Sequence, residues 1–279
     1  MKKNNSQDPG WAQIWQRQMD RWRRMRRERG ANPDSVSFWD GLHIWETYEQ
    51  YTNYPGQLLQ HVLKSVDSGQ TVLDIGAGSG AFTLPLAKQA GWVTAVEPSS
   101  AQCRRLTRAV ESIGIANISL IRKDWDAADV EEVGSHDIVV ASYCLFMKSI
   151  VPAIRKMHQL ARRRVFLVHL AGHNLQGMIR EIRGKDDEVP DHRLLLHVLK
   201  EMGLNAKARI FPRDYALPLN LQLEMFRLAQ GFTAPEIRTL KKRIEVSGRI
   251  EKRKGEPWIA RNYQDALITI EGRSCPCDV

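Results

Sequence analysis

Gly76, Gly78 and Gly80 occupy alternate positions directly after an apolar, β-branched run, Thr71-Val72-Leu73-Asp74-Ile75. Glycines placed so let a chain turn sharply at a strand end and approach a ligand that any Cβ would push away. A helix opening there would aim its free N–H groups and positive dipole end at that ligand. Twenty-one residues beyond Gly76, a second apolar run, Val93-Thr94-Ala95-Val96, closes on Glu97-Pro98. A carboxylate at that point can accept hydrogen bonds from both hydroxyls of a ribose. The pattern predicts an adenosine-containing cofactor.

Gly76-x-Gly78-x-x-Ala81 also satisfies the loose dinucleotide pattern, so the glycines alone do not choose the cofactor. Asp74 does more. Two residues before the first glycine, it places negative charge where a pyrophosphate would be repelled and the α-amino group of a methionine moiety would be welcome. Ile121-Arg122-Lys123-Asp124-Trp125 reads as the end of a third strand, with Asp124 placed to accept from an adenine amino group. Asp126 and Asp129 follow closely, and one of these acids could instead cap the next helix. Trp125 either packs against the adenine or fills the core beside it. His136–Tyr143 reads as a fourth strand, ending at Ser142. These features favour S-adenosylmethionine (SAM) over NAD(P).

The set resembles the class I SAM-dependent methyltransferases. Their glycine-rich first motif matches Val72–Gly80, with Ala77 inside the loop; their acidic second-strand end matches Glu97 and Pro98; their adenine-contacting acid matches Asp124; and their fourth-strand motif matches Asp137–Ser142. The resemblance covers about residues 55–170. It implies a Rossmann-like sheet with SAM lying across its carboxyl ends, and S-adenosylhomocysteine (SAH) as product. Tyr48, Tyr51 and Tyr54 are similar to tyrosines that many family members carry before the core, over the methionine end of SAM; the alternative is that they stitch an extension to the domain. Tyr143 and Cys144 fall where the family places acceptor contacts. DNA and RNA adenine methyltransferases show Asn/Asp-Pro-Pro-aromatic there, and RNA cytosine-5 enzymes need Pro-Cys. Ala-Ser-Tyr-Cys fits neither.

His169 ends a fifth strand, Val165–His169, on the side that faces the ligand crevice in such sheets. Its imidazole could take a proton from a hydroxyl or amine acceptor, so His169 and Tyr143 are the candidate bases. His169 and His173 lack a carboxylate partner, and no metal site is expected. Cys275 and Cys277 would make half a zinc site, and a frayed tail is the simpler reading.

The elements that must position these residues follow from hydrophobic period. Strands near 71–75, 92–96, 117–121, 136–141 and 163–169 alternate with helices near 80–90, 100–113 and 149–162, which means a parallel sheet covered on both faces. Ala206–Phe211 and Ala266–Ile270 would add a sixth and a seventh strand. The expected fold class is therefore α/β, a seven-stranded Rossmann-like sheet, mostly parallel with its last strand antiparallel. Residues 1–54 would form a helical extension, 55–211 the core, 212–260 a helical insert acting as substrate cap, and 261–279 the last strand and tail.

In the extension, Trp11, Ile14, Trp15, Met19, Trp22 and Met25 recur at helical steps, and Ser37 with Asp40 suggests a capping box for a second helix. Five of the eight tryptophans precede residue 46, which suggests a partner surface, with a second copy of the chain through these helices as one candidate. Of the net charge of +9, residues 1–30 carry nine Lys/Arg against three Asp/Glu. Arg21–Arg29 could neutralise RNA phosphates, or be the solvated face of a lid or dimer helix. No apolar run approaches the roughly 20 residues that cross a bilayer, the start has no apolar signal core, and four scattered cysteines make no disulfide framework. The expectation is a cytoplasmic enzyme methylating a small molecule. An RNA or protein acceptor and a non-catalytic SAM-binding protein are the alternatives.

Overall fold

A computed structural model describes residues 9–32, 35–184 and 189–273. Cys275 and Cys277 lie outside the described residues. The chain runs α1 (Trp11–Glu28), α2 (Val36–Gly41), α3 (Trp45–Glu49), α4 (Gln57–Leu63), β1 (Thr71–Ile75), α5 (Thr83–Ala87), β2 (Trp92–Val96), α6 (Ser100–Ile113), β3 (Ile118–Ile121), α7 (Val130–Val133), β4 (His136–Ser142), α8 (Ile150–Leu160), β5 (Ala161–His173), α9 (Gln176–Arg183), α10 (His192–Glu201), β6 (Ala206–Pro218), α11 (Leu219–Gln230), α12 (Ala234–Val246), β7 (Ile250–Arg253) and β8 (Glu256–Glu271).

One sheet holds the strands in the order β3-β2-β1-β4-β5-β8-β6, with β7 on β8. β1 to β5 pair in parallel, and β8 runs antiparallel to β5, β6 and β7. The order reverses between β1 and β4, so their connections leave on opposite faces and open a crevice at the carboxyl edge. Side-chain alternation sorts the two faces. Leu73, Val139, Val165 and Leu167 pack with α8, α10 and the Trp15, Met19 and Trp22 stripe of α1; Val72, Val140, Phe166 and Val168 pack with Leu58 and Val62 of α4.

Four elements differ from the sequence reading. β5 runs four residues past His169, to His173. The sheet has an eighth, four-residue strand, β7. β6 runs seven residues past Phe211, and β8 starts ten residues before Ala266. β6 passes through Pro212, which the edge of the sheet tolerates because a missing N–H there breaks no ladder. The 212–260 insert thus begins and ends as strand: a long β6–β8 hairpin rises over the carboxyl edge and carries α11 and α12 between its arms. With α3 and α9 these form a separate apolar cluster around Leu217, Leu223, Phe226 and Leu240, the cap.

The extension also departs from expectation. Ser35, rather than Ser37, caps α2 by accepting from the Phe38 N–H. Trp15 and Trp22 are buried in this chain's own core, which removes the argument for a homodimer through them. Nor is the basic run wholly a solvent face. Arg23 donates to the carbonyls of Phe146 and Met147, and Arg26 to that of Gln230. Arg17, Arg21, Arg24 and Arg27 remain exposed. No helix among the described residues is long and apolar enough to cross a membrane.

Asp191 caps α10, accepting from Arg193 and Leu194 N–H. Asp191→Ala leaves those donors to water and is expected to cost about 1 kcal/mol, a fall of about 2 °C in thermal midpoint. Calorimetric melting of the two proteins checks it.

Candidate functional site

Past Ile75 the chain folds back over the end of β2. Gly76 N–H donates to the Val96 carbonyl at 2.8 Å, and Ala77 N–H shares that acceptor at 3.2 Å. Gly76 has φ +68°, and a Cβ there would stand 2.4 Å from the Cys144 Cβ, so the turn needs glycine. Gly78 also has positive φ, +57°, but an added Cβ would meet only the Gly76 carbonyl oxygen, at 4.0 Å. The loop is packed tight below and open above, as a cradle for a ligand would be.

Glu97 emerges beside this cradle, 7% exposed. Its Oε2 accepts from Gly78 N–H at 2.9 Å and its Oε1 from Ser99 N–H at 2.8 Å. A carboxylate offers about four lone-pair sites, so two remain for a pair of ribose hydroxyls. Burial pushes its pKa up, against the pull of the two N–H donors. Asp74 lies beneath the loop, fully buried, and accepts from the Thr83 hydroxyl at 2.6 Å. Burial raises its carboxyl to about 7. Helix α5 begins at Thr83, three residues beyond Gly80, so turn backbone rather than a helix N-terminus meets the ligand space.

The extension straps across this edge at three points. Asp40 of α2 accepts from the Ser99 hydroxyl at 2.8 Å and Ala101 N–H at 2.9 Å. Glu49 of α3 accepts from the Ser79 hydroxyl at 3.1 Å. The Tyr54 hydroxyl meets that of Ser142 at the end of β4. Two clefts flank the cradle. One of about 530 Å³ is lined by Glu49, Tyr54, Gly56 and Gln57. The other, about 430 Å³, is lined by Cys103, Arg104, Arg108 and Arg122, with the Cys103 thiol donating to the Glu97 carbonyl. Sequence reasoning missed Asp40 and Glu49. Asp40 carries the local pattern of a capping acid and Glu49 carries none, because each gains its role from a partner 30 to 61 residues away.

The other expected residues divide. Gly76–Gly80, Glu97, Pro98, Ser142 and Tyr54 gather at the carboxyl edge. Asp124 is exposed after β3 and accepts from Asp126 N–H, so it also caps its own turn. Trp125 takes the core alternative. Its indole N–H donates to the Ala153 carbonyl at 3.2 Å, and the Lys156 ammonium lies 4.1 Å from its ring, which leaves no face for an adenine. Tyr51 packs edge-on against Trp258 in the cap. Tyr143 adopts φ +52° and donates its hydroxyl to Asp265, while burial pushes its pKa up.

His169 is a correction. It shares the parity of Val165 and Leu167, and so faces Trp15 (ring centroids 5.8 Å apart) under α1 rather than the crevice. Burial, with His192 nearby, lowers its pKa to about 4. It is not placed to act as a base. The structure supplies instead a buried polar column that the sequence did not show, Asp265 with Arg213 and the surrounding tyrosines.

Residues 72–164 match the family model described as a methyltransferase domain. The chain is similar to an uncharacterized protein of Haemophilus influenzae, 30% identical over 155 residues, which are 55% of this chain and 57% of that protein. It is 36% identical over 90 residues, 29% of this chain and 40% of its relative, to ribosomal RNA small subunit methyltransferase G of Mycobacterium sp. (strain JLS). The chain thus spans about half the length of the curated relatives it matches. In fold it is similar to the YcgJ protein from Bacillus subtilis, with TM-score 0.56 and 15% identity over 78% of this chain and 98% of that one.

Proposed function

We propose, from the premise that residues 72–164 form a class I SAM-dependent methyltransferase domain, that the chain passes a methyl group from SAM to a small-molecule acceptor held under its own cap. The cradle itself carries this reading: a glycine turn closed below by Cys144, open at Gly78, and bound to a buried carboxylate with lone pairs to spare. The group fits these residues. Glu97 would hold the ribose, Asp74 would face the methionine amino group, and Asp124 is available to the adenine.

Bound SAM supplies a methyl on a sulfonium, the electrophile of an in-line displacement. The protein's part is alignment and exclusion of water. Tyr54, locked to Ser142 and strapped to the cap, closes the edge where the acceptor would sit. Tyr143 stays protonated and committed to Asp265, so it positions rather than takes a proton. The enclosing extension and hairpin favour an acceptor small enough to be covered. Calorimetric titration with SAM, SAH and NADH tests the cofactor: saturable SAM and SAH binding without NADH binding is expected, and a folded protein that binds neither sinks the reading.

The raised Asp74 pKa gives a pH signature. Below about 7 the carboxyl is neutral; as pH rises through that value it ionises and can pair with the ligand's ammonium. SAH affinity is therefore expected to rise about fivefold between pH 6 and 7.5, and to stay flat in Asp74→Asn. Titrations at the two pH values decide it.

An RNA acceptor is the second reading, favoured by the exposed Arg17, Arg21, Arg24 and Arg27 along α1 and by the ribosomal RNA methyltransferase relative. That match covers only 29% of the chain, and two arginines of the basic run are spent on carbonyls inside the protein. Salt-sensitive RNA binding lost in Arg17→Ala/Arg24→Ala would favour this reading over the small molecule.

A further inference from the structure

Inside the cap, Arg261 of β8 is 1% exposed. Every partner of its guanidinium is neutral. Nε donates to the Asn174 side-chain oxygen at 3.3 Å, one terminal nitrogen to that of Gln222, and the other lies 3.5 Å from His173 Nδ1. The Tyr263 and Phe226 rings lie 4.9 and 5.7 Å from the cation. Its neighbour in the same hairpin is built the opposite way: Arg213, also buried, is held by the Asp265 carboxylate through two nitrogens. A fully buried cation without a counter-ion costs several kcal/mol in desolvation that neutral dipoles repay poorly. Among the described residues no carboxylate pairs with Arg261.

The groups around it are donors suited to an anion. Tyr48 of α3 and Tyr215 of β6 hold their hydroxyls 3.5 Å apart, and Tyr48 also reaches Gln222. Burial pushes the Tyr48 hydroxyl up to about 12 and raises Tyr215 as well, so both stay protonated and able to donate. His173, by contrast, stays neutral, its pKa lowered to about 3 by burial. The cluster also continues the column that starts at the carboxyl edge: Ser142 meets Tyr54, and the Arg213 guanidinium lies 5.1 Å from the Tyr54 ring, 5.6 Å from Tyr215 and 5.0 Å from Tyr263. Four residues of β8 separate Asp265 from Arg261, about 13 Å of strand.

We propose that Arg261, with the hydroxyls of Tyr48 and Tyr215, is an anion subsite that anchors a carboxylate or phosphate group of the methyl acceptor. The inference rests on the methyltransferase reading and deepens it: the acceptor is an anionic small molecule. The cation has no counter-ion in the protein because its counter-ion arrives with the substrate. A bidentate guanidinium contact would fix the orientation of that group as well as its charge.

The test uses the full chain with two probes, inorganic phosphate and acetate, titrated by calorimetry at constant ionic strength with SAH present and absent. One of the two anions is expected to bind at a single site; which one it is distinguishes phosphate from carboxylate chemistry. Arg261→Met should weaken it at least about tenfold and Tyr215→Phe by a few-fold, while SAH affinity stays at the wild-type value, because neither residue touches the cradle. Arg261→Lys, keeping charge without the fork, should fall between; if Arg261→Met does not fold, Arg261→Lys and Tyr215→Phe decide. Absence of anion binding in the wild type, or equal binding in wild type and variants, would show a structural cation and overturn the proposal. Failure of SAH to bind the wild type would instead strike the methyltransferase reading.

Discussion

Glu97→Ala is expected to weaken SAH binding about a hundredfold in calorimetry while leaving a folded protein. Two hydrogen bonds from ribose hydroxyls to a carboxylate, at about 1.5–3 kcal/mol each for charged partners, are removed together. The cradle loosens as well, because Gly78 and Ser99 N–H lose their acceptor. Glu97→Gln separates these effects. Its amide keeps one oxygen for one of the two backbone donors but sets an NH2 against the other, so it should recover only part of the loss. The core β-strand pairing does not pass through this side chain, and the melting temperature should move by no more than a few degrees. Wild-type SAH affinity in Glu97→Ala would mean that the ribose does not lie where the glycine turn places it.

The half of the molecule that holds this cradle was legible because its signals are local. β1 and β2 are buried on both faces and therefore read as continuous apolar runs, and the features that stop them, Gly76 and Glu97, are the ones that build the cradle. Legibility ends where a residue's role depends on a partner far along the chain. Asp40 reads as a capping acid and is in fact a strap on α6; Glu49 reads as nothing at all. His169 shows the finer limit. It reads as the end of its strand, yet β5 runs on to His173, and alternation puts His169 with Val165 and Leu167, on the face that α1 covers. Trp125 reads equally as core or ligand contact, and the Ala153 carbonyl and Lys156 of α8 hold it in the core.

The β6–β8 hairpin carries the largest stability effect. Asp265→Ala is expected to destabilise the protein by about 3–5 kcal/mol in urea unfolding, since it leaves the buried Arg213 charge uncompensated. Asp265 accepts from Arg213 Nε at 2.6 Å and from a terminal nitrogen at 3.1 Å, and takes the Tyr143 hydroxyl besides, so one side chain satisfies three donors. Arg213 in turn donates to the Thr52 carbonyl at 2.8 Å, which ties the extension to β6. The loss should therefore reach the strap: Asp265→Ala is expected to weaken SAH binding although Asp265 itself does not touch the cradle. Asp265→Leu combined with Arg213→Met removes both charges and should regain most of the stability, as buried pairs replaced by apolar groups commonly do. It should not regain the SAH affinity, because the Thr52 tie stays broken. A double variant that restores both would show that the pair serves packing alone. One that restores only stability would show that the buried charge is kept for holding the extension over the site.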